Sequence, residues 1–223
     1  MTSEITQTRL SKIRKKILRW YKTNGRVYPW RNTSSSYQIL IAEMLLRRTT
    51  AAAVLRVFSD FIKRYPDVTV LSLALVREIE DSIQTLGLQN QRAKHLHDAA
   101  KIIKERFGGN ISDSMYQLES LPGVGRYVAS AVRNFAFGIP EPMVDGNVVH
   151  ILRRVLGVQL SGMIDETAWD LMKQLGGKTQ NKQLYWGIID IVATLCLRKK
   201  PRCFKCPLDK ECTYNMSILG APQ

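Results

Sequence analysis

Leu121-Pro122-Gly123-Val124-Gly125-Arg126 is the stretch that decides how this chain folds. Helical periodicity runs up to residue 119 and resumes at about Arg126, so the hexapeptide is a tight link between two helices. Pro122 halts the preceding helix, because proline lacks an N–H and disfavours helical backbone in the residue before it. Gly123 and Gly125 permit backbone angles and close approaches that a side chain would block. N–H groups of the turn and of the next helix end then point outward together, which makes an anion site. Gly123, Val124, Gly125 and Arg126 are thus candidate contacts to a phosphate backbone. Such a link is weak evidence by itself, since many helix–helix turns contain glycines.

Working outward, apolar residues recur near a period of 3.6 over 5–22, 37–47, 50–64, 74–86, 90–107, 112–119, 126–137, 146–156, 164–175 and 180–198. Pro66, Gly87 and the pair Gly108-Gly109 supply stops. Neither the alternation of half-buried strands nor a βαβ rhythm recurs. The expectation is an all-α protein of about ten helices joined by short loops.

The 223 residues are 45% hydrophobic and 23% charged, enough apolar content for a real core and against disorder. No apolar run reaches the ~18 residues of a membrane span, and Met1-Thr2-Ser3-Glu4 lacks a signal-peptide pattern. The expected location is cytoplasmic, associated with the nucleoid in a prokaryote. The formal charge is +14 and the pI about 9.8, a surplus that recruits polyanions, above all nucleic acid. Past the hairpin stands Met143-Val144-Asp145-Gly146-Asn147-Val148. Asp145 is a good N-cap for the helix that follows, and a carboxylate held at a helix N-terminus stays ionised, free to face a developing positive charge. Cys196, Cys203, Cys206 and Cys212 are the only cysteines, spaced C-x6-C-x2-C-x5-C. Four thiolates from one loop suit a tetrahedral zinc or a [4Fe–4S] cluster. Only one C-x2-C occurs, and the uneven spacing favours the cluster. Arg198, Lys199, Lys200 and Arg202 on the same loop make a phosphate-facing surface. His95, His97 and His150 show no ligand pattern and read as structural or surface residues.

The hairpin, Asp145 behind it and the four-cysteine motif, in this order, resemble the helix-hairpin-helix DNA glycosylases of the endonuclease III superfamily. The resemblance covers the chain from Tyr28-Pro29-Trp30-Arg31 to Cys212. It implies a two-lobed helical fold: a six-helix barrel with the hairpin over 26–139, and a second lobe of 1–25 plus 140–223 carrying a [4Fe–4S] cluster at the four cysteines. The lesion pocket would lie in the cleft between the lobes. The implied partner is double-stranded DNA with a mismatched base, bound by a monomer.

The resemblance also assigns chemistry. Family enzymes flip a base out and break its N-glycosidic bond. Asp145 matches the family's catalytic Asp, which stabilises an oxocarbenium-like transition state. Members with lyase activity carry a nucleophilic Lys two residues after the second hairpin glycine; here Tyr127 stands there, and a phenol cannot form an imine. A monofunctional glycosylase is expected. Glu43, a lone carboxylate in Ile39–Leu46, matches a catalytic or base-contacting Glu of the MutY and Mig branch, and burial would raise its pKa toward a general acid. The tract Leu45-Leu46-Arg47-Arg48-Thr49-Thr50 looks like the Mig thymine–guanine mismatch glycosylases, whereas Asp145-Gly146-Asn147-Val148 reads like MutY. Trp186 stands where MutY has an adenine-contacting Gln and is the candidate for the base pocket. Arg48, beside Arg47, is a candidate wedge for the gap left by a flipped base, with a phosphate contact as the alternative. The resulting expectation is excision of T, and of U, opposite G. Adenine excision from A·G or A·8-oxoguanine is the alternative, and a non-catalytic DNA-binding protein the alternative of another class.

Overall fold

The computed structural model describes residues 5–177 and 182–219. Its described residues form twelve α-helices and no strand. They divide into two compact units, one of Val27–Ile139 and one that joins the residues up to Arg26 to those from Pro140 onward.

The Val27–Ile139 unit holds α2 (Ser36–Leu46), α3 (Ala51–Arg64), α4 (Val68–Leu73), α5 (Val76–Ile83), α6 (Gln89–Phe107), α7 (Met115–Glu119) and α8 (Arg126–Phe137). α2 is its spine: every residue from Ile39 to Leu45 is buried, as is Tyr37. A helix apolar all round has to be wrapped on several sides, and α2 packs against α3, α6 and α8. Ser35 caps α2, Thr50 caps α3 and Asp67 caps α4. The Asp67-capped α4 was not anticipated: the sequence reading placed a helix over 74–86 and none over 68–73. Extended backbone at Ala74 and Leu75 separates α4 from α5.

The other unit is built from α1 (Gln7–Asn24), α9 (Gly146–Leu156), α10 (Glu166–Gly176), α11 (Lys182–Thr194) and α12 (Thr213–Leu219). α1 lays Leu10, Ile13 and Ile17 onto α10 and α11, and α9 is packed between α11 and α12. Arg26 belongs to this unit for a chemical reason. Its Nε and its backbone N–H donate to the two oxygens of the fully buried Asp190, at 2.7 and 2.8 Å. Two further differences from the sequence reading occur here. α11 ends at Thr194 rather than 198, because the N–H groups of Leu195 and Cys196 both turn back to the Ile191 carbonyl. α12 was not anticipated, as seven residues carry too little periodicity to be seen.

Candidate functional site

The hairpin is a sharp turn closed by the Val124 N–H donating to the Leu121 carbonyl at 3.0 Å. Gly123 has φ +79°, and a Cβ there would stand 2.8 Å from Nδ1 of His95. Conformation and space both require glycine at this position. Gly125 is different: its φ is −109° and nothing lies within 4 Å of where a Cβ would be. Its openness, not a special angle, is what it offers. Val124 turns its side chain into the core, while Gly125 and Arg126 are exposed at the start of α8 and Tyr127 is half-buried. Arg47 joins the hairpin: its Nη1 donates to the Gly123 carbonyl at 2.6 Å. Burial, helped by the Arg47 charge, lowers the His95 pKa and favours its neutral ring.

Glu43 is buried in the third turn of α2, at 6% exposure. Five residues on, Arg48 is exposed with φ +55°; Leu88, just before α6, is exposed with φ +52°. They are the two non-glycine residues with positive φ among the described residues. Both border a recess of about 70 Å³ that Met44, Arg47, Gln91 and Arg92 also line. Leu88 was missed by sequence reasoning. A leucine past a helix stop carries no chemical signal until it is seen exposed and strained.

Asp145 caps α9 as expected. Its Oδ1 accepts the N–H groups of Asn147 and Val148 at 2.9 and 2.7 Å, and its Oδ2 accepts Nδ2 of Asn147 at 2.9 Å. Burial nevertheless pushes its carboxyl above the ordinary carboxylate range, outweighing these bonds. The expectation of a carboxylate held down by the helix end is corrected: desolvation is the larger effect. The segment before it is braced by Tyr185, whose buried hydroxyl accepts from the Met143 N–H at 3.0 Å and donates to the Glu141 carbonyl at 3.2 Å. Burial raises the Tyr185 pKa, so the phenol stays protonated and can make both bonds. Trp186, the next residue on α11, is 8% exposed; it packs beside Tyr21 and lies 5.5 Å from Nζ of Lys182.

The four cysteine thiols line one largely apolar recess with Leu195 and Leu208. Burial raises the thiol pKa of Cys196, Cys206 and Cys212, that of Cys206 to about 12. Buried thiolates therefore need a cationic centre. Nη1 of Arg154 lies 3.6 Å from the Cys196 sulfur, and the same side chain donates to the carbonyls of Leu197 and Arg198. His150, read from sequence as merely structural or surface, has its Nε2 2.9 Å from the Cys196 carbonyl oxygen. Among the described residues no three His, Cys, Asp or Glu side chains form a ready-made site for a metal ion. Lys199 and Lys200 are exposed beyond the first cysteine. Arg198 reaches back, with Nη2 3.4 Å from the Gly146 carbonyl at the start of the Asp145 helix.

Glu43, Tyr127, Arg47, Arg48 and the hairpin thus belong to one unit. Asp145, Trp186 and the cysteine loop belong to the other. Residues 41–174 match the HhH-GPD superfamily base excision DNA repair protein family, a span that contains Glu43, the hairpin and Asp145. The chain belongs to the HhH-GPD superfamily. The cysteine loop lies beyond the matched span, and the superfamily includes [4Fe–4S] members. A thymine-DNA glycosylase of Aeropyrum pernix is 40% identical over 92% of this chain and 95% of its own length. A thymine/uracil-DNA glycosylase of Methanothermobacter thermautotrophicus is 36% identical over 89% and 90%. Among solved structures, that of a thermostable thymine-DNA glycosylase superposes with a TM-score of 0.90 at 32% identity, covering 96% of this chain and all of that one. This HhH-GPD chain is accordingly a DNA N-glycosylase of base excision repair.

Proposed function

We propose that this HhH-GPD glycosylase flips thymine, and uracil, from opposite guanine in duplex DNA and hydrolyses the N-glycosidic bond without lyase chemistry. The observation that carries the reading is Asp145. Its carboxylate is fixed through both oxygens by its own helix, in a chain similar over almost its whole length to thymine-DNA glycosylases. A carboxylate so preorganised stabilises the positive charge that develops on the sugar. Glu43, buried on α2, serves as the general acid toward the departing base. Tyr127 leaves no amine for a Schiff base, so water takes the sugar carbon and an intact abasic site remains. Arg48 and Leu88 fill the gap in the stack, with Arg48 donating to the orphaned guanine. Gly123, Gly125, Arg126, Arg47, Lys199 and Lys200 meet phosphates, and Trp186 borders the base. The protein acts as a monomer.

The cysteine residues fit a [4Fe–4S] cluster: four soft donors around one apolar recess, with an arginine beside one sulfur. When bound, that cluster supplies a rigid centre that fixes the basic loop Arg198–Arg202. Iron and sulfide assays on anaerobically purified protein test it; four of each per chain are expected, and zinc alone would overturn it.

The test of function is single-turnover cleavage of duplexes carrying T·G, U·G, A·G, A·8-oxoguanine or a normal pair, read with and without alkali. Release of T and U opposite G, with strand scission only after alkali, supports the proposal. Adenine release would move the protein to the adenine branch, and tight binding without any release would make it a non-catalytic DNA-binding protein.

A further inference from the structure

α2 ends without the usual backbone cap. Arg47, its last flanking residue, has extended ψ of 122°, and Arg48 then enters the left-handed region at φ +55°. The carbonyls of the last helical turn have no intrahelical donors and need partners from elsewhere. The Thr49 N–H serves the Leu46 carbonyl at 3.3 Å, and Arg92 of α6 serves three others. Its Nη1 donates to the carbonyls of Met44 at 2.8 Å and Leu45 at 3.0 Å, and its Nη2 to that of Arg47 at 2.9 Å. The backbone N–H of the same residue donates to the Leu88 carbonyl at 3.0 Å. That backbone bond is the ordinary first bond of α6, which any residue at 92 would make; the guanidinium itself reaches the carbonyl of the residue just before the strained Arg48.

For stability alone this is a poor arrangement. The guanidinium is buried, with Arg92 at 7% exposure, and among the described residues its acceptors are carbonyls, not carboxylates. Its Nε is buried without a hydrogen-bond partner among the described residues. The negative end of the α2 dipole faces its charge. Burying a charge in this way costs more than an apolar side chain of the same size. The planar fork does what an apolar side chain or an ammonium cannot: it spans three carbonyls in a fixed geometry.

We propose that Arg92 is a positioning residue for base flipping, a clamp whose guanidinium holds Arg48 in its strained conformation ready for insertion. It acts through that side chain and touches no reacting atom. The inference rests on the wedge reading of Arg48 given above. It also bears on Glu43, whose helical turn immediately precedes the clamped carbonyls.

The test is a thermodynamic cycle of Arg92→Lys, Arg48→Ala and the double variant. Two readouts are taken on T·G duplexes with a fluorescent adenine analogue beside the T: the fluorescence rise on flipping and the single-turnover excision rate. Arg92→Lys keeps the charge and loses the fork, and about a tenfold fall in the flipping rate is expected, the worth of a charged hydrogen bond. In the Arg48→Ala background the same change adds less than about twofold, because the clamp has lost the side chain it serves. Ile79→Val, a core change in α5, serves as the stability control; at matched loss of Tm it leaves flipping unchanged. Fully additive losses in the cycle, or an equal flipping defect in the control, overturn the proposal while the wedge reading stands. Normal flipping and excision by Arg48→Ala overturn both.

Discussion

Two turns in the Val27–Ile139 unit leave the right-handed region of backbone space by opposite means. At the hairpin, Gly123 reaches φ +79° without cost, since it has no Cβ to collide. At the end of α2, Arg48 reaches φ +55° as an L-residue, at roughly 1–2 kcal/mol. The first turn presents backbone and is closed by a bond of its own, from the Val124 N–H to the Leu121 carbonyl. The second presents a long cationic side chain, and Arg92 holds it there from a neighbouring helix. A turn that must offer N–H groups can use glycine. A turn that must offer a side chain cannot, so its strain has to be balanced by tertiary bonds. Arg47 ties the two together through the Gly123 carbonyl.

The largest expected effect lies outside both turns and sets the scale for them. Asp145→Asn keeps the cap on α9 but lowers single-turnover excision by about 10²–10⁴-fold. Fluorescence-detected flipping should persist, so that chemistry and insertion separate; a joint loss of both would merge them. The pH profile carries the same separation. Excision needs the ionised carboxylate and falls as pH drops through the Asp145 pKa, which burial places above the ordinary value of about 3.9. The acid limb of the excision rate should be displaced upward accordingly, with binding unaffected in that range. The sign for stability is opposite to that of a paired carboxylate. The native state holds its proton more tightly than the unfolded chain does, so stability declines as pH rises between the two pKa values. Asp145→Asn should abolish that decline in Tm measured against pH.

Next come the turns themselves. Gly123→Ala forces a Cβ into a left-handed position and against His95, at about 1–3 kcal/mol; thermal denaturation and duplex affinity should both fall. An unchanged Tm would break the contrast between the turns. Arg48→Gly runs the contrast backwards. It relieves strain, so Tm should hold or rise by the equivalent of up to about 1 kcal/mol, while flipping is lost. The smallest effect belongs to Gly125→Ala, where space is open and φ ordinary. Its Tm should shift by less than about 0.5 kcal/mol equivalent, and any loss of duplex affinity then measures how closely the DNA backbone approaches.

Legibility followed the same divide. The starts of α8 and α9 were readable to the residue, because Gly125, Asp145 and the apolar periods behind them mark local events. α4 was not, since its six residues carry too little periodicity to be seen. Among the site residues, Asp145 announced itself as a cap, but the direction of its pKa did not follow from capping. Nothing in the sequence marks Arg92 apart from the other cations; it is buried, with its guanidinium on the carbonyls that end α2. Tyr185 carried no functional signal in the sequence, and its hydroxyl braces the segment that leads to Asp145.

By itself, then, the sequence determined what local chemistry can encode: helices, their stops, the hairpin, the N-cap carboxylate, the four thiols and the positive charge. These depend on residue type and on neighbours a few positions away. Only the tertiary structure decided that Arg48 and Leu88 are strained, that Arg92 bonds to the end of α2, and that burial outweighs hydrogen bonding at Asp145. Each of those is a sum over groups far apart in the chain. The Arg92 bonds to α2 cross 45 to 48 residues, and no periodicity in the sequence records which side chain closes such a gap.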